Sequence, residues 1–432
     1  MPIDLFASDF KAAPYWWDEV PRPDLPRNDP PGQAEVVIVG SGYTGLQAAL
    51  QTARGGRHTV VLDAEAAGFG CSTRNGGQIS TSVKPGFDEL SRRHGRERAF
   101  AIMQEGRNSL RYIGDFVRDE GIDCDFGAVG RFHAAHAPGR YEELARSVGT
   151  QPKGLEVACH VVPRSEQRSE IGSDLYHGGV VYESHASINP ARYHQGLLQR
   201  VVAAGAELVP HCPATGIERI GQDFLVQTPR GTIRTREAVI ATNGYTGPLT
   251  GWLRRRVIPI GSYVIATEEL EPALLERLIP KNRIVSDTRK VVYYYRASPD
   301  RRRILFGGRV SLSETDPRRS GPLLHGAMSR IFPELANRKI SHSWCGFVAY
   351  SFDELMHIGR HEGMHYAMGY CGSGVGMASY LGMRLGQQVL GLAEGRTAFD
   401  GLPFQTRPFY SGNPWFLAPS VLYYSWRDRL AR

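Results

Sequence analysis

The apolar positions of this chain change period several times along its length. Glu35-Val36-Val37-Ile38-Val39 is a short, nearly unbroken apolar run, the pattern of a parallel strand buried on both faces. A glycine-rich turn follows, then a helix continuing from Leu46 to Ala53, then a second apolar run from His58 to Asp63. Residues 34–63 therefore read as strand, glycine turn, helix and strand. Residues 86–120 carry apolar side chains at helical spacing, and Tyr193 to Ala204 reads as another helix. Residues 125–190 hold short apolar runs broken by glycine, consistent with a β-rich insertion. Ala238-Val239-Ile240-Ala241-Thr242 is a further strand, and residues 256–310 read as strands with helical pieces near 271–279. Residues 365–393 predict a strand, a glycine turn and a long helix from Ala378 to Leu392. Residues 1–33 predict an irregular arm whose Pro14-Tyr15-Trp16-Trp17 packs on the body. Alternating α and β units at both ends, with β-rich material between them, predict an α/β domain carrying an inserted sheet domain. The α/β domain is then discontinuous (34–124, 190–255 and 341–395), the sheet domain takes 125–189 and 256–340, and 396–432 form a C-terminal extension.

Composition narrows the class. The chain has 432 residues, 41% of them hydrophobic, which suits two or three domains or one enzyme with interleaved domains. No apolar run reaches the length of a membrane span, so no membrane partner is expected. Met1 to Pro31 lacks both a charged and an apolar leader region, and a cytoplasmic location is expected. Cys71, Cys124, Cys159, Cys212, Cys345 and Cys371 form no CxxC pair and read as reduced thiols. His133 and His136 have no third ligand nearby, so no metal is expected. The net charge of +7 comes with short arginine runs, 254–256 and 301–303, that read as solvated surface. No RNA-recognition motif accompanies them, which weighs against a nucleic-acid partner.

The first strand leads directly into Gly40-Ser41-Gly42-Tyr43-Thr44-Gly45, a GxGxxG. Its glycines have separate tasks: a tight turn, room for a pyrophosphate, and close helix–strand packing. The helix start behind them offers free N–H groups to phosphates. The second strand ends in Asp63, about twenty residues after the glycines, where a carboxylate accepts from ribose hydroxyls. This unit identifies a dinucleotide site and leaves NAD or FAD open.

Two further segments favour a flavin. Gly68 to Gln78 is a glycine-rich loop just after the second strand, and Tyr366 to Met377 is a strand and glycine turn before a helix. A helix start there stabilises the negative charge that a reduced flavin carries near N1 and O2. With these motifs go Ala241-Thr242-Asn243-Gly244-Tyr245, Leu305-Phe306-Gly307-Gly308-Arg309 and Trp344-Cys345-Gly346-Phe347. On them the chain resembles the D-amino-acid oxidase superfamily, and within it the γ-glutamylputrescine oxidase branch, over roughly residues 30–395. The resemblance implies a Rossmann-like, glutathione-reductase-like FAD-binding domain with an inserted antiparallel-sheet substrate domain. It implies FAD contacts from Gly40, Gly42, Tyr43, Thr44, Gly45, Asp63 and Ala64 to the ADP half. It assigns the loop residues Gly70, Cys71, Ser72, Arg74, Asn75, Gly76, Gly77 and Gln78 to pyrophosphate and flavin. Gly372, Ser373, Gly374, Val375, Gly376 and Met377 meet the flavin edge, and Ala214, Thr242, Asn243 and Gly346 complete the set.

The chain departs from the superfamily pattern in two informative places. Amino-acid oxidases of the superfamily often carry an arginine two positions after the glycine of the W-x-G motif, where it grips the substrate carboxylate. Here that position is Val348, which pairs with no carboxylate. The second place is Ser373, where the branch often has histidine, and it predicts a smaller or differently polar pocket over the flavin. Sarcosine-oxidase-like relatives attach flavin through a cysteine in this region. Counting back from Asp353, that position is Gly346, so Cys345 misses it by one and non-covalent FAD is expected.

Catalytic residues are not fixed by these motifs. Tyr263, Tyr295, Arg309, Phe347 and Ser373 are pocket candidates, with core packing as the competing reading for the tyrosines and a surface role for Arg309. His357, where proline is common, reads as structural. The expected activity is oxidation of an amine or N-substituted amine, with oxygen as electron acceptor and hydrogen peroxide as product. A dehydrogenase using another acceptor and a flavoprotein acting on RNA-borne amines remain alternatives.

Overall fold

The computed structural model describes residues 5–308 and 316–430. Two large sheets organise it. In the eight-stranded sheet, Gln33–Val39 lies between Thr59–Leu62 and Gly231–Ile240, parallel to both, and Glu207–Val209 extends the parallel row. Val36, Val37 and Ile38 are each at most 1% exposed, so successive side chains are buried on both faces, as their unbroken apolar run predicts. Met364–Met368 pairs in parallel with Gly231–Ile240, which sets the start of the long helix Gly374–Val389 beside the first glycine turn. Helices Tyr43–Arg54 and Gly374–Val389 cross at glycines: a Cβ on Gly382 would stand 2.5 Å from the Thr44 carbonyl, and one on Gly386 2.8 Å from that of Ala48.

The nine-stranded sheet gathers strands from distant parts of the chain. Its longest pair, Ile258–Thr267 and Ile340–Tyr350, is antiparallel and lies near one edge, followed across the sheet by Ile304–Gly308, Tyr293–Ala297, Ile284–Asp287 and Arg131–Ala134. Helix Pro317–Ile331 covers one face, burying Leu324 and Met328 against Tyr263, Ile265, Tyr295 and Phe306. The opposite face looks toward the first sheet and its glycine loops.

Several elements differ from the sequence reading. Residues 341–350 are read with the α/β domain but hydrogen-bond within the nine-stranded sheet. The arm is not irregular throughout, because Phe6–Lys11 adds to the edge of that sheet, parallel to Ile340–Tyr350. Helix Pro138–Gly149 lies in the segment read as β-rich; its apolar stripe, Tyr141, Leu144, Ala145 and Val148, is short and only half-buried. The helix expected from Ala378 to Leu392 spans Gly374–Val389, since glycines at its start are tolerated where a ligand or a neighbouring helix needs close approach.

Candidate active site

The GxGxxG turn is built to take a group that no side chain could share. Gly40 has φ +108°, and a Cβ there would stand 2.9 Å from the Ala241 carbonyl. A Cβ on Gly45 would stand 1.8 Å from the Gly40 carbonyl, so this position admits glycine alone. Gly42 caps helix Tyr43–Arg54 without a side-chain acceptor, leaving the helix start to an anion. Part of that start is already used: the Tyr43 N–H donates to Ser72 Oγ at 3.0 Å. The Tyr43 ring turns into the core, its hydroxyl donating to the Pro190 carbonyl. Thr44 is buried too, its hydroxyl bonded to Tyr370 at 2.6 Å, so Tyr43 and Thr44 offer a ligand backbone only.

Asp63 stands at the end of the second strand. Its Oδ2 accepts from the Ser41 N–H at 2.9 Å and the Ser41 hydroxyl at 2.5 Å, and its Oδ1 from the Glu65 N–H at 3.0 Å. A carboxylate has about four acceptor sites, so room is left for a ribose hydroxyl. Ala64 follows it, and Ala214 lies close by, half-buried behind the Asp63 carbonyl that accepts from Cys212 N–H. Thr242 and Asn243 close the same end; Asn243, at φ +43°, accepts from the Gly369 N–H through Oδ1.

The loop from Gly70 to Gln78 is clamped from three sides. Asn75 donates to the Cys71 and Ser72 carbonyls and accepts from Gly77 N–H. The Arg74 guanidinium lies over the rings of Trp17 and Phe69, at 4.6 and 4.3 Å from their centroids. The arm holds the loop from outside, with Trp16 donating to the Asn75 carbonyl and Trp17 to the Thr73 hydroxyl. Gln78 donates to the Tyr295 carbonyl at 3.1 Å, tying the loop to the large sheet. Burial pushes the Cys71 thiol up to about 11, so it stays protonated.

The other end of the site is the turn Cys371-Gly372-Ser373. Cys371 and Gly372 both have positive φ, and Ser373 caps the helix Gly374–Val389 by backbone while its hydroxyl donates to the Ser82 carbonyl at 2.8 Å. At this helix start the N–H groups of Gly374, Val375 and Gly376 have no acceptor within the helix, the arrangement suited to a flavin edge, whereas the Met377 N–H already donates to the Ser373 carbonyl at 3.2 Å. Beside it stand two residues that the sequence did not single out. The Lys84 ammonium donates to the Tyr350 hydroxyl at 3.0 Å, and a Cβ on Gly372 would lie 3.7 Å from that hydroxyl and 3.9 Å from Lys84 Cε. Desolvation works against the Lys84 charge, yet the Tyr350 hydroxyl holds its pKa above the ordinary lysine value.

The sheet face above the loop corrects two pocket candidates. Tyr263 and Tyr295 are fully buried on the far face, against helix Pro317–Ile331; the Tyr295 hydroxyl donates to Tyr176 and its ring stacks on Phe306. Their neighbours in register face the loop instead. Tyr294 crosses Gly76 and Gly307, where a Cβ would stand 2.8 and 2.3 Å from its ring, and it shares a hydrogen bond of 2.9 Å with Ser262. Burial raises the Tyr294 phenol, which stays neutral. Gly346 shares this face, with Arg74 Cβ 3.1 Å and Cys71 Sγ 3.4 Å from its Cβ position. Val348 and Tyr350 alternate onto it farther along the strand. Phe347 sits at the rim, edge-on to Tyr245 at 5.4 Å. Cys345 pairs with Tyr263 in register and belongs to the far face. Arg309 lies outside the described residues. His357 is buried away from the site, donating to Asp353 Oδ1 and stacked on Phe404. Among the described residues no group of three metal-binding side chains occurs, and no helix is long and apolar enough to cross a membrane.

The glycine turn between parallel strand and helix, the carboxylate at the end of the next strand and the second helix start are those of a Rossmann-like, flavin-dependent oxidoreductase. The comparisons agree. The family model described as FAD dependent oxidoreductase, DAO, matches residues 35–388, and the chain belongs to that family. It is 33% identical to a probable oxidoreductase OrdL of Rhizobium meliloti, over 96% of this chain and 97% of that one. It is 31% identical to gamma-glutamylputrescine oxidoreductase of Escherichia coli, over 92% and 93%. Glycine oxidase from Geobacillus kaustophilus shares the fold, with TM-score 0.73 and 17% identity over 88% of this chain and 99% of that one.

Proposed function

We propose that the protein is an FAD-dependent oxidase of an amine or N-substituted amine, converting a CH–NH group to an imine that water hydrolyses to a carbonyl compound and a smaller amine. The observation that carries this reading is the ceiling over the flavin loop: Tyr294 paired with Ser262, Gly346 and Val348 are neutral, and the Arg296 guanidinium on the same sheet face is taken up by the Gly77 and Ile188 carbonyls. FAD, when bound, supplies the two-electron acceptor and passes the electrons on to oxygen, giving hydrogen peroxide. The chain's own residues select the neutral amine, because an ammonium entering such a face loses hydration without gaining an anion. No strong base is then needed at the carbon. Tyr294, held protonated, orients the nitrogen as a hydrogen-bond partner, and the clamped loop fixes the distance between carbon and cofactor. Relatives named for gamma-glutamylputrescine and glycine support CH–NH oxidation. Cys345 on the far face and the protonated Cys71 support non-covalent FAD.

The test is anaerobic flavin bleaching by equal concentrations of primary amines, N-substituted amines and α-amino acids, followed by oxygen uptake with the fastest substrate. Amines and N-substituted amines are expected to bleach the flavin and to produce peroxide. Bleaching by α-amino acids alone moves the enzyme to the amino-acid oxidase side of its family. Bleaching without oxygen uptake makes it a dehydrogenase.

A further inference from the structure

Away from the flavin loop, the same sheet face carries a cation that no carboxylate among the described residues neutralises. Tyr294, Ser286 and His133 stand in register across three adjacent strands and therefore share a face. Arg131, two residues before His133, shares it as well. With strands about 4.8 Å apart, the Arg131 backbone lies about 12 Å from that of Tyr294. Arg131 is half-buried, its guanidinium 5.0 Å from the centroid of the Tyr182 ring. Its Nε is sealed from solvent with no acceptor, and among the described residues no carboxylate or carbonyl accepts from its outer nitrogens. Around it are His185, stacked on Tyr182 at 5.0 Å, and His133, bonded to Ser286. His185 accepts from the Thr81 N–H through Nε2, leaving an Nδ1 donor with no partner. Burial depresses His133 to about 3 and His185 to about 2, so both are neutral and Arg131 holds the charge alone.

An unpaired, partly desolvated guanidinium is costly unless an anion completes it. Its planar fork matches a carboxylate in two parallel hydrogen bonds. Other cations of the site already have acceptors: Lys84 the Tyr350 hydroxyl, Arg74 the Phe69 carbonyl, and Arg296 the Gly77 and Ile188 carbonyls. We propose that Arg131, with the Nδ1–H of His185 beside it, forms an outer anion subsite that binds a carboxylate carried on the substrate several bonds from the carbon that is oxidised. This rests on the amine-oxidase reading and adds the substrate class: an aliphatic amine with a distal acid. A carboxylate on the reacting carbon itself lies too close to Tyr294 to reach Arg131.

The experiment uses the FAD-loaded enzyme and two series of probes, ω-aminocarboxylates of four to eight carbons and their uncharged amides. Binding is measured by titration calorimetry and, separately, flavin bleaching is followed anaerobically. At one chain length the wild-type enzyme is expected to bind the acid at least tenfold tighter than the amide. Arg131→Met should remove roughly 10- to 100-fold of acid affinity, the scale of charge-assisted hydrogen bonds, with a much smaller effect on the amide. Arg131→Lys, which keeps charge without the fork, should recover part of it and guards against a folding defect in the methionine variant. The subsite is overturned if no acid binds better than its amide, if Arg131→Met keeps the preference, or if it weakens acid and amide equally. Acid-selective binding without bleaching by any amine sinks the amine-oxidase reading and leaves the subsite standing; bleaching by amines without acid preference does the reverse.

Discussion

The carboxylate of Asp63 accepts three hydrogen bonds from its own chain and still has capacity for one more. Asp63→Ala is expected to weaken FAD by about 1–3 kcal/mol, the scale of a lost charge-assisted bond, and to leave FMN affinity nearly unchanged, because FMN lacks the adenosine ribose. Fluorescence titration of the apoprotein with both flavins reads this directly, and equal losses for the two would place Asp63 elsewhere. Residues of this kind were legible in the sequence because their work is done by backbone turns and strand ends, which glycine and acid positions mark. The pocket tyrosines were not. In Tyr293-Tyr294-Tyr295 every position has the same side chain, so the alternation that tells one face from the other is absent. The face was set by contacts from far away: Gly76 and Gly307 make room for the ring of Tyr294, and helix Pro317–Ile331 buries Tyr295. Lys84 gave no signal at all, since its partner Tyr350 is 266 residues distant.

At the scale of elements, what could be read was what each segment does alone. The strand Gln33–Val39 and helix Tyr43–Arg54 announce themselves by period. The edge strand Phe6–Lys11 becomes a strand through its partner Ile340–Tyr350, and helix Pro138–Gly149 lies at the surface with a short, half-buried apolar stripe of Tyr141, Leu144, Ala145 and Val148. The joint between first strand and first helix is where sequence and packing meet most tightly. Gly45→Ala puts a methyl 1.8 Å from a backbone oxygen, and neither the helix nor the turn can move aside without opening the cradle. We expect this variant to purify with little FAD and to melt well below wild type. Gly139→Ala, in a helix where a Cβ meets nothing within 4 Å, should keep both FAD content and melting temperature. If the two variants behave alike in absorbance at the flavin band and in thermal melts, close helix–strand contact is not what the glycine provides.

Taken as a whole, the molecule joins two sheets across a seam that buries neutral histidines. His194, 1% exposed, donates to the Ser41 carbonyl beneath the cradle, and burial depresses it to about 4. His185, also 1% exposed, lies at the large sheet with its pKa near 2, likewise through burial. Both folded values fall below the unfolded value of roughly 6.5. As pH drops, the unfolded chain takes up these protons first, so stability is complete above about pH 6.5 and declines below it, down to about 4 for His194 and about 2 for His185. His133 and His136, depressed to about 3 and about 4, act in the same direction. Asp287, pushed up to about 6 by burial beside Arg289, acts in the opposite one, a single carboxyl against four imidazoles. At pH 5.5 each fully buried histidine costs about 1.4 kcal/mol. The melting temperature of the FAD-loaded protein should therefore fall between pH 7.5 and 5.5, before ordinary carboxylates titrate. His194→Gln removes one of these groups, so its melting temperature should change less over the same interval, whatever its value at pH 7.5. A flat profile in the wild type, or an unchanged slope in the variant, would mean that the seam admits protons as readily as the unfolded chain does.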